Sequence, residues 1–392
     1  MAEWKQCTIS DLGTVVGGAT PSTKDATNYE NGTVSWITPK DLSDFKGRYI
    51  QRGERDITEK GLRSCSAQIM PADTVLFSSR APIGYIAIAK NDLCTNQGFK
   101  SVIPNKTTDP LFLYYLLKYN KDAIEHMGSG TTFKEVSGNT MKNIVVRVPV
   151  EIQEQRRIAQ ILGSLDDKIE ENDRINNNLM QQAKTIFEAE IVNRTELPNG
   201  WKKSNLASIA DYLNGLAMQN YRPNDDDQGL PVLKIKELRQ GSCDADSERC
   251  SSYIKSNYIV NDGDVIFSWS GSLLVDFWCG GICGLNQHLF KVTSTQYAPW
   301  FFYSWTNYHL AKFAAIASAK ATTMGHIKRS DIEAAEVIIP SPADYERIGA
   351  LIQPLYDLCV ALRLENRKLA ATRDSLLPRL LSGDIDISEA II

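Results

Sequence analysis

The chain is written twice. Trp4-Lys5 followed by Ile9-Ser10-Asp11-Leu12 returns as Trp201-Lys202 followed by Leu206-Ala207-Ser208-Ile209. Ser35-Trp36-Ile37-Thr38-Pro39-Lys40-Asp41-Leu42 returns as Pro231-Val232-Leu233-Lys234-Ile235-Lys236-Glu237-Leu238. Thr74-Val75-Leu76-Phe77-Ser78 returns as Asp264-Val265-Ile266-Phe267-Ser268, Asn96-Gln97 as Asn286-Gln287, Thr131-Thr132 as Thr322-Thr323, and Val148-Pro149 as Ile339-Pro340. Matches that keep one order at a slowly drifting offset of about 190–197 residues are the mark of an internal repeat. Whatever the first copy folds into, the second must fold into as well.

Each copy reads as a mixed globule. Apolar runs at Thr74–Phe77, Tyr85–Ala89 and Ile144–Val148 predict strands, and Pro110 and Pro299 each open a helical segment. Gly and Asn clusters at 17–18, 28–32, 128–130 and 137–139 punctuate loops. After each globule the period changes to seven. Ile158, Leu162, Leu165, Ile169, Asn172, Asn176, Leu179, Ala183 and Ile186 step by 4 and 3. Ile348, Ile352, Leu355, Cys359, Leu362, Asn366, Leu369, Arg373 and Leu376 repeat those steps. Such seams predict long helices packed as a coiled coil, with Asn176 and Asn366 as polar residues that set register. The expected fold class is α+β, with mixed α/β globules at 1–150 and 198–340. Two long antiparallel helices at 151–197 and 341–392 separate them about a pseudo-two-fold axis. About 30 helical residues span roughly 45 Å, a little over one turn of DNA, so two readers held that far apart suit a bipartite duplex site.

Charge bears on that reading. The chain carries −4 overall, which looks wrong for a phosphate binder. The acid is uneven, however: residues 1–150 sum to +3, and the helical 151–199 to −4. Residues 200–340 sum to −1 and 341–392 to −2. Partner subunits are therefore expected to supply much of the phosphate contact. No apolar run reaches 18 residues, and the first residues lack a signal-peptide core, so a cytoplasmic location with no membrane is expected. Cys279 and Cys283, with His288 nearby, have a spacing that invites zinc, but they lie in an apolar strand-like run with no second Cys pair. No metal is expected.

With these residues assembled, the chain resembles the specificity subunits of Type I restriction-modification systems over essentially its whole length. The most family-like strings are Ser35–Leu42, Glu154-Gln155-Arg156-Arg157-Ile158 and Leu380-Leu381-Ser382-Gly383-Asp384-Ile385. The second copy departs from the pattern, with Glu346-Arg347-Ile348 at its helix start and no Trp in 232–238. The resemblance implies two target-recognition domains, a central and a distal helical region, and no catalytic residue in this chain. It implies partners too: double-stranded DNA, two adenine methyltransferase subunits docked on the helices, and restriction/translocase subunits joining them. S-adenosylmethionine would belong to the methyltransferase subunit, so no cofactor is expected here.

Candidate DNA contacts follow from side-chain chemistry at loop positions. Ser78, Ser79 and Arg80, and their counterparts Trp269 and Ser270, are read as the loop after a strand. Lys40, Lys234 and Lys236 follow equivalent strands, and Thr131, Thr132 and Lys134 occupy a loop matched by Lys320, Thr322, Thr323 and Lys328. Asn96-Gln97 and Asn286-Gln287 have the amides that read adenine. They recur in both copies, and readers of different half-sites should differ, so a structural turn is favoured. Trp4 and Trp201 are expected in the core. The rival classes are a self-contained adenine methyltransferase and a free-standing DNA-binding regulator. Against the first, Asp109-Pro110-Leu111-Phe112 lacks the second Pro of a base-holding loop, and Gly280-Gly281-Ile282-Cys283-Gly284 does not open a helix. Against the second, long acid-bearing helices argue for docked partners.

Overall fold

The computed structural model describes residues 3–80, 82–129, 134–319 and 325–387. The chain divides into two compact units, Met1–Glu170 with Leu369–Ile392, and Glu171–Lys368. Each unit thus holds one globule and stretches of both long helices.

The strands of the first unit are β1 (Trp4–Thr8), β2 (Gly13–Gly17), β3 (Trp36–Ile37), β4 (Tyr49–Ile50), β5 (Val75–Ser79), β6 (Ile83–Ala89), β7 (Cys94–Thr95), β8 (Lys100–Pro104) and β9 (Val145–Pro149). Five of them form a sheet in the order β2-β8-β5-β6-β4, in which only β4 runs parallel to its neighbour. β3 pairs in parallel with β7, and β1 in antiparallel with β9, lacing the start of the globule to its end. The central β5 is buried on both faces, which is why Val75-Leu76-Phe77 reads as a continuous apolar run. The helix Pro110–Tyr119 packs on this sheet. Asp109 caps it by accepting from the Phe112 N–H at 2.9 Å, and Pro110 sits where a helix tolerates proline.

The second unit contains β10 (Lys202–Asn205), β11 (Asp211–Asn214), β12 (Leu230–Leu233), β13 (Arg249–Cys250), β14 (Ile259–Val260), β15 (Val265–Ser268), β16 (Leu274–Phe277), β17 (Cys283–Leu285), β18 (Leu289–Thr293) and β19 (Glu336–Ile339). Its antiparallel sheet β11-β18-β15-β16 has the strand order of β2-β8-β5-β6. The parallel pair β12·β17 matches β3·β7, and β10·β19 matches β1·β9. The repeat of residues is a repeat of topology. The copies part at the sheet margins, where β4 extends the first large sheet, whereas β13 and β14 flank the β12·β17 pair to make a second four-stranded sheet, β13-β12-β17-β14.

Two long helices, Ile152–Phe187 and Pro342–Ser382, contribute to both units. In the first unit, Ile158, Ala159 and Leu162 share a core with Leu377, Leu380 and Leu381 and with the globule's Val75, Phe77 and Phe112. Buried Asp166 accepts the Tyr115 hydroxyl at 2.6 Å and pairs with Arg373 at 2.5 Å. Buried Arg48 ties the globule to the first helix through Asp167, Glu170 (3.1 Å) and the Gly163 carbonyl (3.4 Å). Removing one partner of a buried pair leaves the other charge uncompensated. Asp166→Ala is therefore expected to destabilise the chain by about 3–5 kcal/mol, measured by urea unfolding; a loss within experimental error would show that the pair contributes nothing.

In the second unit, Ala183, Phe187 and Ile191 share a core with Ile348, Ile352 and Tyr356. Rising positions on one helix meet falling positions on the other. Asn172 Nδ2 donates to Asn366 Oδ1 at 2.8 Å, the Cys359 thiol lies 3.8 Å from the Asn176 carbonyl, and Arg347 pairs with Glu190 at 2.8 Å. The pairing is antiparallel, as expected. Asn176 and Asn366 nevertheless do not face each other. In an antiparallel pair, equivalent positions are offset, and Asn366 meets Asn172 and donates to Asp173 at 2.9 Å. Asn176 is 5% exposed, and its amide meets no protein partner among the described residues. Asn176→Leu is expected to raise stability by about 1 kcal/mol, because it removes buried polar atoms without breaking a bond; a lower thermal midpoint would contradict that account.

Candidate nucleic-acid interface

At one place the two globules are built alike and equipped differently. β5 ends at Ser79 and is followed by Arg80; β15 ends at Ser268 and is followed by Trp269 and Ser270. Each strand end is pinned by the segment after the recurring Thr-Thr loop. The Val136 N–H donates to the Ser79 carbonyl at 2.9 Å, and the Ile327 N–H to the Trp269 carbonyl at 3.1 Å. Val136 and Ile327 are buried apolar pegs that fix where each loop re-enters the globule. Thr131, Thr132, Lys320, Thr322 and Thr323 lie outside the described residues.

The facing wall is a turn between β7 and β8, and between β17 and β18. Asn96 Oδ1 accepts from the Gly98 N–H at 2.8 Å, and Asn286 Oδ1 from the His288 N–H at 3.2 Å. Both asparagines are therefore turn formers, as their recurrence suggested. Gly18 and Gly215 make the close approach beneath these turns. A Cβ on either would lie 2.1–2.2 Å from the Asn96 or Asn286 carbonyl oxygen, so only glycine fits.

On this shared frame the first globule carries charge. Arg80 Nη1 lies 3.9 Å from Glu135, which also receives Lys100 Nζ at 3.2 Å. Gln97 accepts from the Thr20 hydroxyl. The second globule carries rings. Half-buried Trp269 donates from Nε1 to Asn214 Oδ1 at 3.0 Å, and its ring centre lies 6.1 Å from His288, 5.7 Å from Phe290 and 6.2 Å from His326. The β-ladders superpose Lys100 on Phe290, because each lies opposite the last residue of the neighbouring strand.

The other expected residues fall in several places. Ser78 and Ser79 are not loop residues. They complete β5, fully buried, and their hydroxyls serve the fold: Ser78 Oγ donates to the Pro82 carbonyl and accepts from the Tyr85 N–H, both at 2.8 Å, and Ser79 Oγ donates to the Gly98 carbonyl at 3.2 Å. Ser270 is also buried, with Oγ 3.2 Å from His288 Nδ1. Lys40 is exposed and pairs with Glu54 at 2.7 Å, a bond that raises its pKa. Lys234 pairs with Glu248 at 2.5 Å and Lys236 with Asp244 at 3.2 Å; hydrogen bonding to Asp244 raises the Lys236 pKa. These are exposed pairs of the kind that exchange partners readily. Lys134 and Lys328 are exposed, the latter opening a short helix through its N–H to Asp331 at 2.8 Å. Lys100, Glu135, His288 and His326 were not proposed as DNA contacts from the sequence, and Gln97 was set aside there as part of a turn. The signal was there, in the chemical difference between residues at equal offset.

Trp201 is buried and bonds Asp344 at 2.9 Å, whereas Trp4 is only half-buried, with the Arg147 guanidinium 5.5 Å from its ring centre. Cys279 and Cys283 are both buried, and burial pushes the Cys279 thiol up to about 11. Among the described residues no group of three or more His, Cys, Asp or Glu is arranged to hold a metal ion, and no helix is long and apolar enough to cross a membrane.

Comparison with known proteins gives the architecture a family. The profile of the Type I restriction modification DNA specificity domain matches twice, at residues 1–181 and 198–371. The chain is 34% identical to the Type I restriction enzyme MjaIX specificity subunit of Methanocaldococcus jannaschii, over 99% of this chain and 94% of that one. It is 31% identical to the EcoR124I/EcoR124II specificity subunit of Escherichia coli, over 42% of this chain and 41% of that one. Its fold is like that of the crystal structure of a Type I restriction-modification S subunit from M. genitalium, with a TM-score of 0.60 at 14% identity, covering 97% and 96% of the two chains. The family profile on both copies and the near full-length relative establish that this chain belongs to the specificity subunits of Type I restriction-modification systems.

Proposed function

We propose that the chain reads a bipartite, asymmetric duplex site, one half per globule, and that its helical regions dock two adenine methyltransferase subunits to which restriction/translocase subunits attach. It works in the cytoplasm, contributes no catalytic residue, and leaves S-adenosylmethionine to the methyltransferase. The observation that supports this best is one frame with two chemistries: the Arg80–Glu135–Lys100 group and the Trp269–His288–His326 group stand at equivalent strand ends. Two copies of a scaffold that differ where side chains face outward suit two half-sites of different sequence.

In this reading Lys40, Lys134, Lys234, Lys236 and Lys328 position the phosphate backbone, together with Lys320. Arg80, Trp269 and the loop threonines Thr131, Thr132, Thr322 and Thr323 lie against the grooves. Ser78, Ser79 and Ser270 hold their neighbours in place. Phosphate contacts strengthen binding to all sequences alike and set its salt dependence. Lys134→Ala and Lys328→Ala in the assembled complex should each lower the slope of log affinity against log salt by about 1 and leave the preferred sequence unchanged. An altered sequence preference would assign them to bases instead.

The class itself is tested by co-expressing the chain with its neighbouring genes and mapping adenine methylation across a genome. A bipartite motif present only when this chain is present is the expected result; methylation independent of the chain would overturn it. The purified chain alone, net −4, is expected to bind DNA weakly and to transfer no methyl group. Turnover of S-adenosylmethionine by the lone chain at the rate of the complex would make it an enzyme.

A further inference from the structure

We infer that His288 and His326, set around Trp269, are the base-reading groups of the second globule, and that they take the edges of bases in the second half-site. The inference rests on the function proposed above and names the side chains that give it sequence preference.

Three observations carry it. First, His288 is held in place although it lies at the surface. The buried Ser270 hydroxyl sits 3.2 Å from its Nδ1, and Gln287 Nε2 lies 3.5 Å from its Nε2. An exposed imidazole with no task gains nothing from a buried hydroxyl that fixes its ring, whereas a reader must present one nitrogen in one direction. With Nδ1 engaged by Ser270, Nε2 keeps only the long 3.5 Å contact to Gln287, which a base edge in the major groove can replace as a single donor or acceptor.

Second, Trp269, Phe290 and the two imidazoles form a partly exposed aromatic patch, with Trp269 between the two histidines. Trp269 is anchored by its bond to Asn214, which holds the indole at the centre of the patch.

Third, the first globule excludes the same solution. Gly98 occupies the position of His288, and a Cβ there would lie 2.8 Å from Pro39 Cγ and 2.9 Å from Asn96 Oδ1. The place of Phe290 is taken by Lys100, and that of His326 by Glu135. Frame residues such as Asn96 and Asn286 agree between copies, and the outward residues on that frame differ in size, charge and hydrogen-bonding pattern. That is the distribution expected of readers, not of scaffold.

The test uses the full chain assembled with its methylating partners. Binding and methylation are measured on duplexes in which each base of each half-site is varied, with His288→Ala, His326→Ala and, as a reciprocal control, Arg80→Ala. The histidine variants should lose about 5- to 150-fold of discrimination at one position of one half-site, the range of a single good base contact. The other half should stay intact, and Arg80→Ala should affect that other half. Ser270→Ala should relax the same base position as His288→Ala without adding to it, and Ser270→Thr should restore it, which a merely structural serine would not do. Both histidines face solvent, so unchanged thermal midpoints are expected. Unaltered base preference in both histidine variants overturns the inference, as does a uniform loss of affinity with a reduced salt slope. A parent complex that marks no bipartite motif would instead overturn the proposed function on which the inference rests.

Discussion

A chain ended at Asn199 is expected to dimerise and, with methylating partners, to mark a palindromic motif instead of an asymmetric one. The truncation removes Leu377, Leu380 and Leu381, which are buried in the first unit with Ile158 and Leu162. The apolar stripe of the first helix is then uncovered, and an exposed stripe of that length draws a partner. A second truncated chain supplies a close substitute. At an offset of 190, Phe187 stands for Leu377 and Ile191 for Leu381, with two polar mismatches: Glu190 in place of Leu380, and Ala183 in place of Arg373, the partner of buried Asp166. The polar layer is also reproduced. Asn176 is the counterpart of Asn366, so the Asn172–Asn366 bond becomes an Asn172–Asn176 bond between chains, made twice. A true two-fold dimer carrying two copies of one reader selects an inverted repeat of one half-site. Light scattering and methylation mapping decide the matter. A folded monomer, or a dimer that still marks the asymmetric motif, would remove the basis for treating the two copies as interchangeable.

Replacing residues 1–150 by the corresponding domain of a relative is expected to change one half of the motif completely and leave the other half as it was. Each globule has its own sheet and core, and its reading residues come from its own strand ends. The graft has a structural condition. The globule is locked to the helices of its unit by Arg48 on Asp167 and Glu170 and by Tyr115 on Asp166. A donor domain lacking an arginine at the place of Arg48 leaves Asp167 and Glu170 without that partner. Such a graft should fold with a lower midpoint, and restoring the arginine should recover stability without altering the motif. A change in both halves of the motif would refute the two-reader description.

The duplication was legible because it is a property of residue identity along the chain, and tertiary structure added only that the strand order repeats as well. The long helices were legible for a similar reason, since 4-and-3 spacing of apolar residues has one economical solution. Which residues meet across the helices was not. Asn176 and Asn366 occupy equivalent places in their own helices, but antiparallel packing sets a rising number against a falling one, and Asn366 meets Asn172. Equivalence in sequence is not contact in space.

The interface divides the same way. Loop lysines and the Thr-Thr repeats could be proposed from residue type and position. The end of β5 could not, because Ser78 and Ser79 are polar in sequence and become strand residues through ladder bonds to β6, to the turn before β8 and to Val136. His288, His326, Lys100 and Glu135 lie 20 to 58 residues from the strand ends they join, and nothing local marks them. The sequence by itself determined that there are two like globules, what kind of elements they contain and that long helices follow each. Tertiary structure alone decided which side chains share a surface, because that depends on sheet order and on loops pinned by buried residues far along the chain.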